Sequence, residues 1–222
     1  MQSHVAQPCF LCGARSVGAL LCPACAADLP RLAAERCPVC ATPTLAGAVC
    51  GRCLKQPPAF ERSIAVYRYD FPVSVLVQQL KYGGELALAP WLADRLAEQV
   101  GTTGLPDLLI PMPLHARRLQ ERGFNQAALI AGGLARRLDL PSGLDVCRRV
   151  KDTRPQVELP IKSRRGNMRN AFVCDADLSG RRVALVDDVM TSGASLNELA
   201  RVVRKAGATE VAAWVLARTV RS

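Results

Sequence analysis

The sequence predicts an α/β protein built on a parallel β-sheet and preceded by a small cysteine-rich segment. Three observations predict it. From Ile64 onward, short apolar runs alternate with stretches of helical periodicity, the pattern of a parallel sheet with crossover helices. Eight of the ten cysteines fall within the first 53 residues. Residues 183–195 read VALVDDVMTSGAS, an apolar run ending in two acids and a group of small hydroxyl residues. A chain of 222 residues accommodates one mid-sized domain and a small one. Gln56-Pro57-Pro58 reads as a stiff linker, so residues 1–56 and 57–222 are the expected units. Aromatic residues are only 5% of the chain, which leaves Ala, Leu and Val to fill the core.

The cysteines form four C-x-x-C pairs: Cys9/Cys12, Cys22/Cys25, Cys37/Cys40 and Cys50/Cys53. The gaps between successive pairs are 9, 11 and 9 residues, an internal repeat of C-x2-C-x9-C-x2-C. Each C-x-x-C sets two thiolates on one tight turn, and two turns complete a tetrahedral four-thiolate site. Two structural zinc ions are therefore expected, paired in sequence order, with a cross-braced arrangement as the alternative. Disulfides and an iron–sulfur site are the competing readings. Pro23 and Pro38 stiffen two turns, and Gly13 and Gly51 are placed to supply positive φ. Cys147 and Cys174 lack partners at ligand spacing and read as buried small apolar residues.

Beyond the linker, Ile64–Tyr69 suggests a strand, and Phe71–Tyr82 a helix stopped by Gly83-Gly84. Leu86–Val100 is again helical. Leu108–Ile110 is a short strand ending in Pro111-Met112-Pro113. Phe124–Leu138 is a strong helix, with Leu129, Ile130, Leu134 and Leu138 on one stripe. Leu144–Cys147 is a candidate strand. Val183–Val186 and Val211–Leu216 are strands flanking a helix at Leu196–Ala206.

In open parallel sheets, ligands bind beyond the carboxyl ends of the strands. Asp187 and Asp188 sit where the Val183–Val186 strand should end, and Thr191, Ser192, Gly193, Ala194 and Ser195 open the next helix. A helix N-terminus offers free N–H groups to an anion, and Gly193 lets the backbone close around a phosphate. The acids can accept hydrogen bonds from sugar hydroxyls, so the parts together suit a sugar phosphate. The plain alternative is a strand followed by a capped helix without a ligand. A Walker A loop is excluded, because no lysine follows the glycine.

Two basic stretches accompany this segment. Residues 110–127 read IPMPLHARRLQERGFNQA, in which Pro111, Met112 and Pro113 form a stiff turn after a strand and Arg117 and Arg118 can bind a pyrophosphate. A solvated helix face explains the same arginines. Residues 148–172 carry eight basic residues against two acids, with little periodicity. Such a loop over an anion site can act as a water-excluding lid, with Thr153, Gln156, Arg164 and Asn167 as its candidate contacts. It can equally bind nucleic acid, a reading that the net charge of +10 also favours, although aromatic stacking platforms are scarce.

VALVDDVMTSGAS resembles the phosphoribosyl-pyrophosphate (PRPP) loop of type I phosphoribosyltransferases. The chain as a whole resembles the ComF family, phosphoribosyltransferase-like proteins associated with DNA uptake. The resemblance rests on the paired C-x-x-C repeat, Leu80-Lys81-Tyr82, Pro111 to Gln126, the stretch from Thr153 to Gln156, and Asp187-Asp188. Leu159, Arg164 and Asn167 fit the family pattern, whereas Pro160 departs from a small residue and Asn170 from a glycine. The resemblance implies a type I phosphoribosyltransferase core with helices on both faces of the sheet, behind a double zinc ribbon. It implies that Asp187 and Asp188 hold ribose hydroxyls directly or with Mg²⁺, that Thr191 to Ser195 cradle the 5′-phosphate, and that Pro111 to Arg118 hold pyrophosphate. Three roles remain open: a transferase of unknown acceptor, a PRPP sensor without turnover, and a single-stranded DNA-binding accessory factor acting with competence or DNA-processing proteins. No apolar stretch approaches bilayer length and the first ten residues lack a signal-peptide core, so the expected location is the reducing cytoplasm.

Overall fold

A computed structural model describes residues 6–102, 104–152 and 168–220. The lid candidates Thr153, Gln156, Arg164 and Asn167 lie outside the described residues.

The cysteine-rich segment contains the antiparallel pair β1 (Ala6–Pro8) and β2 (Arg15–Val17), then α1 (Pro23–Ala27), a 3-10 turn at Leu45–Gly47, and α2 (Gly51–Lys55). Pro23 opens α1, where its missing N–H costs nothing. Gly13 has the expected positive φ of 73°, but Gly51 is the first residue of α2 and helical, so it supplies no left-handed turn.

The main sheet is wholly parallel, in the order β3 (Arg62–Arg68), β8 (Glu210–Arg218), β7 (Arg182–Met190), β4 (Leu108–Pro111). Helices α3 (Val73–Tyr82), α4 (Leu88–Val100) and α6 (Gln126–Leu138) cover one face, and α7 (Ala194–Lys205) the other. The period of two along the strands makes both faces apolar. Ala184, Val186, Ala212 and Trp214 pack with α3, α4 and α6, while Val183, Leu185, Val211 and Ala213 pack with Leu196, Leu199 and Val203 of α7. Helices α4 and α6 approach closely at Gly133, where a Cβ would lie 2.5 Å from that of Ala93.

Three elements differ from the sequence expectation. The strand expected to stop at Val186 runs on to Met190, because Asp187, Val189 and Met190 stay in register with Val215, Ala217 and Arg218 of β8. A short helix, α5 (Ala116–Arg122), follows Pro113. The strand expected at Leu144–Cys147 lies at Cys147–Arg149 (β5), and it pairs antiparallel with β6 (Phe172–Cys174) outside the main sheet.

The cysteine-rich segment docks on the outer edge of β3. Arg68 N–H donates to the Pro30 carbonyl (2.8 Å), Leu32 N–H to Val66 (3.2 Å) and Ser63 N–H to Pro38 (3.0 Å). Cys9, Leu21, Cys22 and Leu29 belong to the same apolar cluster as α3 and α4, so the two parts share one core.

Candidate functional site

β4 leaves the sheet at Pro111, opposite Val186, while β7 continues along β8. The two acids therefore stand where one edge of β7 has lost its strand neighbour. The strand period sends them to opposite faces. Asp187 lies on the α7 side, in a small recess with Met190 and Thr191 to Leu196. Asp188 lies on the α3 side, where the Lys81 ammonium hydrogen-bonds its Oδ1 (2.9 Å) and sits 2.8 Å from Oδ2. Asp188 is only 3% exposed, and the Lys81 side chain 21%. Asp187 therefore borders the recess while Asp188 is buried against Lys81, and both lie within β7 and not at its end. Burial and the charge of Asp188 push the Asp187 carboxyl up to about 7, against the opposing pull of Lys81, the Asp188 N–H (2.9 Å) and Arg149. Burial alone would lower the Lys81 ammonium, but Asp188 and then Asp187 more than offset it and hold it above its ordinary value.

After Met190 the chain makes a tight turn into α7. Gly193 takes φ 77°, a left-handed conformation that strains any L side chain. The Ser192 hydroxyl accepts from the Ala194 N–H (3.3 Å), and Gly193 C=O accepts from Asn197 N–H (2.9 Å). The first turn of a 12-residue helix thereby faces the recess that holds Asp187.

Pro111, Met112 and Pro113 are buried, and the Met112 N–H donates to the Val186 carbonyl (2.8 Å). The amide between the prolines is therefore spent on the sheet, not held out to a ligand. Asn125 fixes this segment: its Nδ2 donates to the Met112 carbonyl (3.0 Å), and its Oδ1 caps α6 through the N–H groups of Ala127 and Ala128. His115 caps α5, its Nδ1 accepting from the Arg117 N–H (3.3 Å). Arg117 is ion-paired with Glu121 (3.1 Å) and Asp152 (2.9 Å) on an exposed face. Arg118 instead stands near Arg149 of β5. Burial, then the charge of Arg118, lowers the Arg149 guanidinium, while Asp152 and Asp187 act to raise it. Arg149 lies over the Phe172 ring (5.9 Å). The Arg149 guanidinium thus acts electrostatically on Asp187, and Arg149 joins the candidate pyrophosphate contacts. Asn170 has φ 56°, the conformation that glycine serves in the resembling pattern, and asparagine is among the side chains that best tolerate it.

The eight N-terminal cysteines gather into two sets in sequence order. Cys9, Cys12, Cys22 and Cys25 form one, and Cys37, Cys40, Cys50 and Cys53 the other, each with all its sulfurs within 4.8 Å of one another. Cys12 and Cys22 sulfurs lie 3.8 Å apart and Cys40 and Cys50 sulfurs 3.6 Å apart. A tetrahedron of Zn–S bonds of about 2.3 Å has an edge of about 3.8 Å, so both sets fit zinc. Crowding splits the thiols. Burial would raise Cys9, but the backbone N–H groups of Cys22, Cys12 and Leu11 outweigh it and hold it at about 6. Hydrogen bonds with Cys12 and Cys22 push Cys25 up. Thr42 likewise brings Cys40 down to about 6 against burial, while burial and Cys40 push Cys53 up. A bound dication relieves this mutual repulsion.

A double zinc ribbon domain matches residues 5–54, and a phosphoribosyl transferase domain matches residues 125–221. The chain is therefore a phosphoribosyltransferase-like protein carrying two four-cysteine zinc sites. It is 41% identical to "Competence protein F" of Haemophilus influenzae over 178 residues, 76% of this chain and 78% of that protein. It is 36% identical to "DNA utilization protein YhgH" of Salmonella typhimurium over 207 residues, 90% of this chain and 91% of that one. It is 26% identical to "Competence protein ComFC" of Bacillus subtilis over 212 residues, 90% of this chain and 84% of that protein. The chain belongs to the ComF family.

Proposed function

We propose that this chain binds PRPP together with Mg²⁺, acts as a phosphoribosyltransferase, and serves DNA uptake or processing in the cytoplasm. The observation that carries the proposal is the common recess of Asp187 and the Gly193 turn at the carboxyl end of the sheet, with the Arg149 guanidinium acting on Asp187. In this reading residues 191–195 take the 5′-phosphate and Asp187 takes the ribose hydroxyls, while Asp188 stays paired with Lys81 on the other face. Arg118 and Arg149 take the pyrophosphate, joined by Arg117 once it leaves its acidic partners. Mg²⁺ supplies charge neutralisation to the pyrophosphate. As an acceptor attacks C1 of the ribose, the C1–O bond to pyrophosphate breaks and its electron pair leaves with pyrophosphate. Positive charge develops on the sugar, and the Asp187 carboxylate stabilises it. Lys81 holds Asp188 in place through its ion pair.

Calorimetry with PRPP and Mg²⁺ on wild type and Asp187→Asn tests binding, and pyrophosphate release with a panel of bases tests turnover. Tight binding by wild type, weakened by the substitution, is expected. Identical affinities or no binding would remove the reading. Binding without turnover on any acceptor would leave a PRPP sensor.

The names of the relatives favour a second reading, in which the same chain holds single-stranded DNA. Among the described basic residues, Arg117 is engaged by Glu121 and Asp152, and Arg148 by Asp175. If about four to six phosphates are contacted, log K falls with log[salt] at a slope of roughly −3 to −4. Anisotropy of a labelled oligonucleotide, with and without saturating PRPP, checks it. Competition places DNA at the recess, and no binding at low salt removes the DNA role.

A further inference from the structure

Arg218 closes β8 and is 4% exposed, yet the proposed chemistry has no use for it. Its guanidinium joins two parts of the molecule. On the sheet side, Nη1 donates to the carbonyls of Met190 (2.9 Å), Thr191 and Thr219. On the ribbon side, Nε donates to the Cys40 carbonyl (2.9 Å) and Nη2 to the Thr42 hydroxyl (3.1 Å). That hydroxyl lies 3.3 Å from the Cys40 sulfur. Only a planar, five-donor cation can span such a set. A second contact runs in parallel. Arg52, between Cys50 and Cys53 in α2, donates through Nη1 to the Ser192 carbonyl (3.3 Å). Beside it, a cleft of about 330 Å³ separates Cys53 from Gly193 and Asn197.

Three consecutive carbonyls, of Met190, Thr191 and Ser192, are thus held from the side of the second four-cysteine site. Within a planar trans peptide, the N–H points opposite to the C=O. Anchoring these carbonyls therefore aims the N–H groups of Thr191, Ser192 and Gly193 away from the cysteines. The geometry points to Arg218 and Arg52 as positioning residues through which zinc at Cys37/Cys40/Cys50/Cys53 presets the phosphate turn. This inference rests on the proposed PRPP reading and adds a coupling to it. The coupling is reciprocal: zinc raises affinity for the sugar phosphate, and the sugar phosphate retains zinc. Hydrogen bonds around a metal ligand commonly tune the site they support. The first site packs with α3 and α4 and shares no such contacts with the turn among the described residues.

Two measurements on the full-length zinc-loaded protein test this. Calorimetry with PRPP and Mg²⁺ compares wild type with Arg218→Lys and Arg52→Met. A chromogenic chelator follows zinc release with and without PRPP. Affinity should fall roughly five- to 150-fold for Arg218→Lys, the span of typical coupling energies, and less for Arg52→Met, which loses one contact. PRPP should slow release of one of the two zinc equivalents in wild type, and this protection should vanish in Arg218→Lys. If Arg218→Lys does not fold, Arg52→Met and the wild-type release rates decide. Wild type that binds PRPP with zinc release indifferent to it, and folded variants binding equally well, would overturn the coupling while leaving the function intact. Wild type that binds no PRPP would remove both.

Discussion

Replacing Lys81 with methionine should unfold the protein at markedly lower temperature, and more so in alkali than in acid. The substitution keeps the length of the stem but leaves Asp188, 3% exposed, without its cation and still next to Asp187. Removing one partner of a buried ion pair costs about 3–5 kcal/mol. The Lys81 side chain keeps a fifth of its surface in water, which places the cost at the lower end, about 3 kcal/mol. For a chain of this length each kcal/mol moves the midpoint by about 2–4 °C, so a drop of about 6–12 °C is expected near neutral pH. The pH dependence follows from the proton balance. Without Lys81 the largest influence opposing the raised Asp187 carboxyl is gone, so Asp187 holds its proton to still higher pH in the folded state, a proton that the unfolded chain releases above its ordinary carboxyl range. A group whose folded pKa is raised contributes stability at low pH that is lost as pH rises through the raised value. The deficit should therefore shrink at pH 5 and widen at pH 8.5. Near-UV circular dichroism of the buried Trp214, at fixed zinc, follows the transition. Lys81→Met/Asp188→Leu should recover most of the loss, because neither charge then remains buried alone. An unchanged midpoint at pH 8.5, or a deficit indifferent to pH, would refute the pairing.

Cys22→Ser should lower zinc content by one equivalent, and it should also lower the melting temperature of the sheet domain, since Cys9, Leu21 and Cys22 share a core with α3 and α4; metal analysis and thermal unfolding measure both, against a site energy of roughly 10–16 kcal/mol. The raised Asp187 carboxyl gives up its proton only as pH passes about 7, so affinity for PRPP with Mg²⁺ should climb through that range with net proton release, detected by calorimetry in two buffers of different ionisation heat. In the unliganded protein the same group stabilises the fold below the unfolded value of 3.8, and that contribution fades as pH rises toward 7. Asn125→Ala removes the cap of α6 and the tether to Met112 together, and should cost about 1–2 kcal/mol in chemical denaturation.

Local signals in the sequence carried far. VALV is apolar on both faces because helices cover both faces, and the cysteine spacing reports the zinc sites because each ligand pair sits on one turn. The strand end at Val186 was misplaced because an acid pair looks like a stop signal; pairing with β8 overrides it. The period of two already implies that Asp187 and Asp188 point to opposite faces, a consequence readable from VALVDD itself. What escaped is long-range. Lys81 meets Asp188 across 107 positions, and Arg218 meets Cys40 across 178. The only local trace of Arg218 is a lone cation ending the run EVAAWVLA, and nothing in its neighbourhood names a partner.

The docking of the ribbon on β3 bears on the order in which the molecule is built. β3 has one neighbour from the first forty residues and another, β8, from the last thirteen; Glu61 and Val211 are joined across 150 positions. During synthesis the ribbon and β3 emerge early, while the strand that completes the sheet comes last. Contacts of such separation close slowly, and an incomplete parallel sheet exposes unpaired backbone meanwhile. The Pro30–Pro38 segment occupies one side of β3 from the start, so a nascent chain with its zinc in place shows one bare edge of this strand instead of two. A chain cut short before Glu210 keeps that single bare edge permanently and loses Arg218 with it.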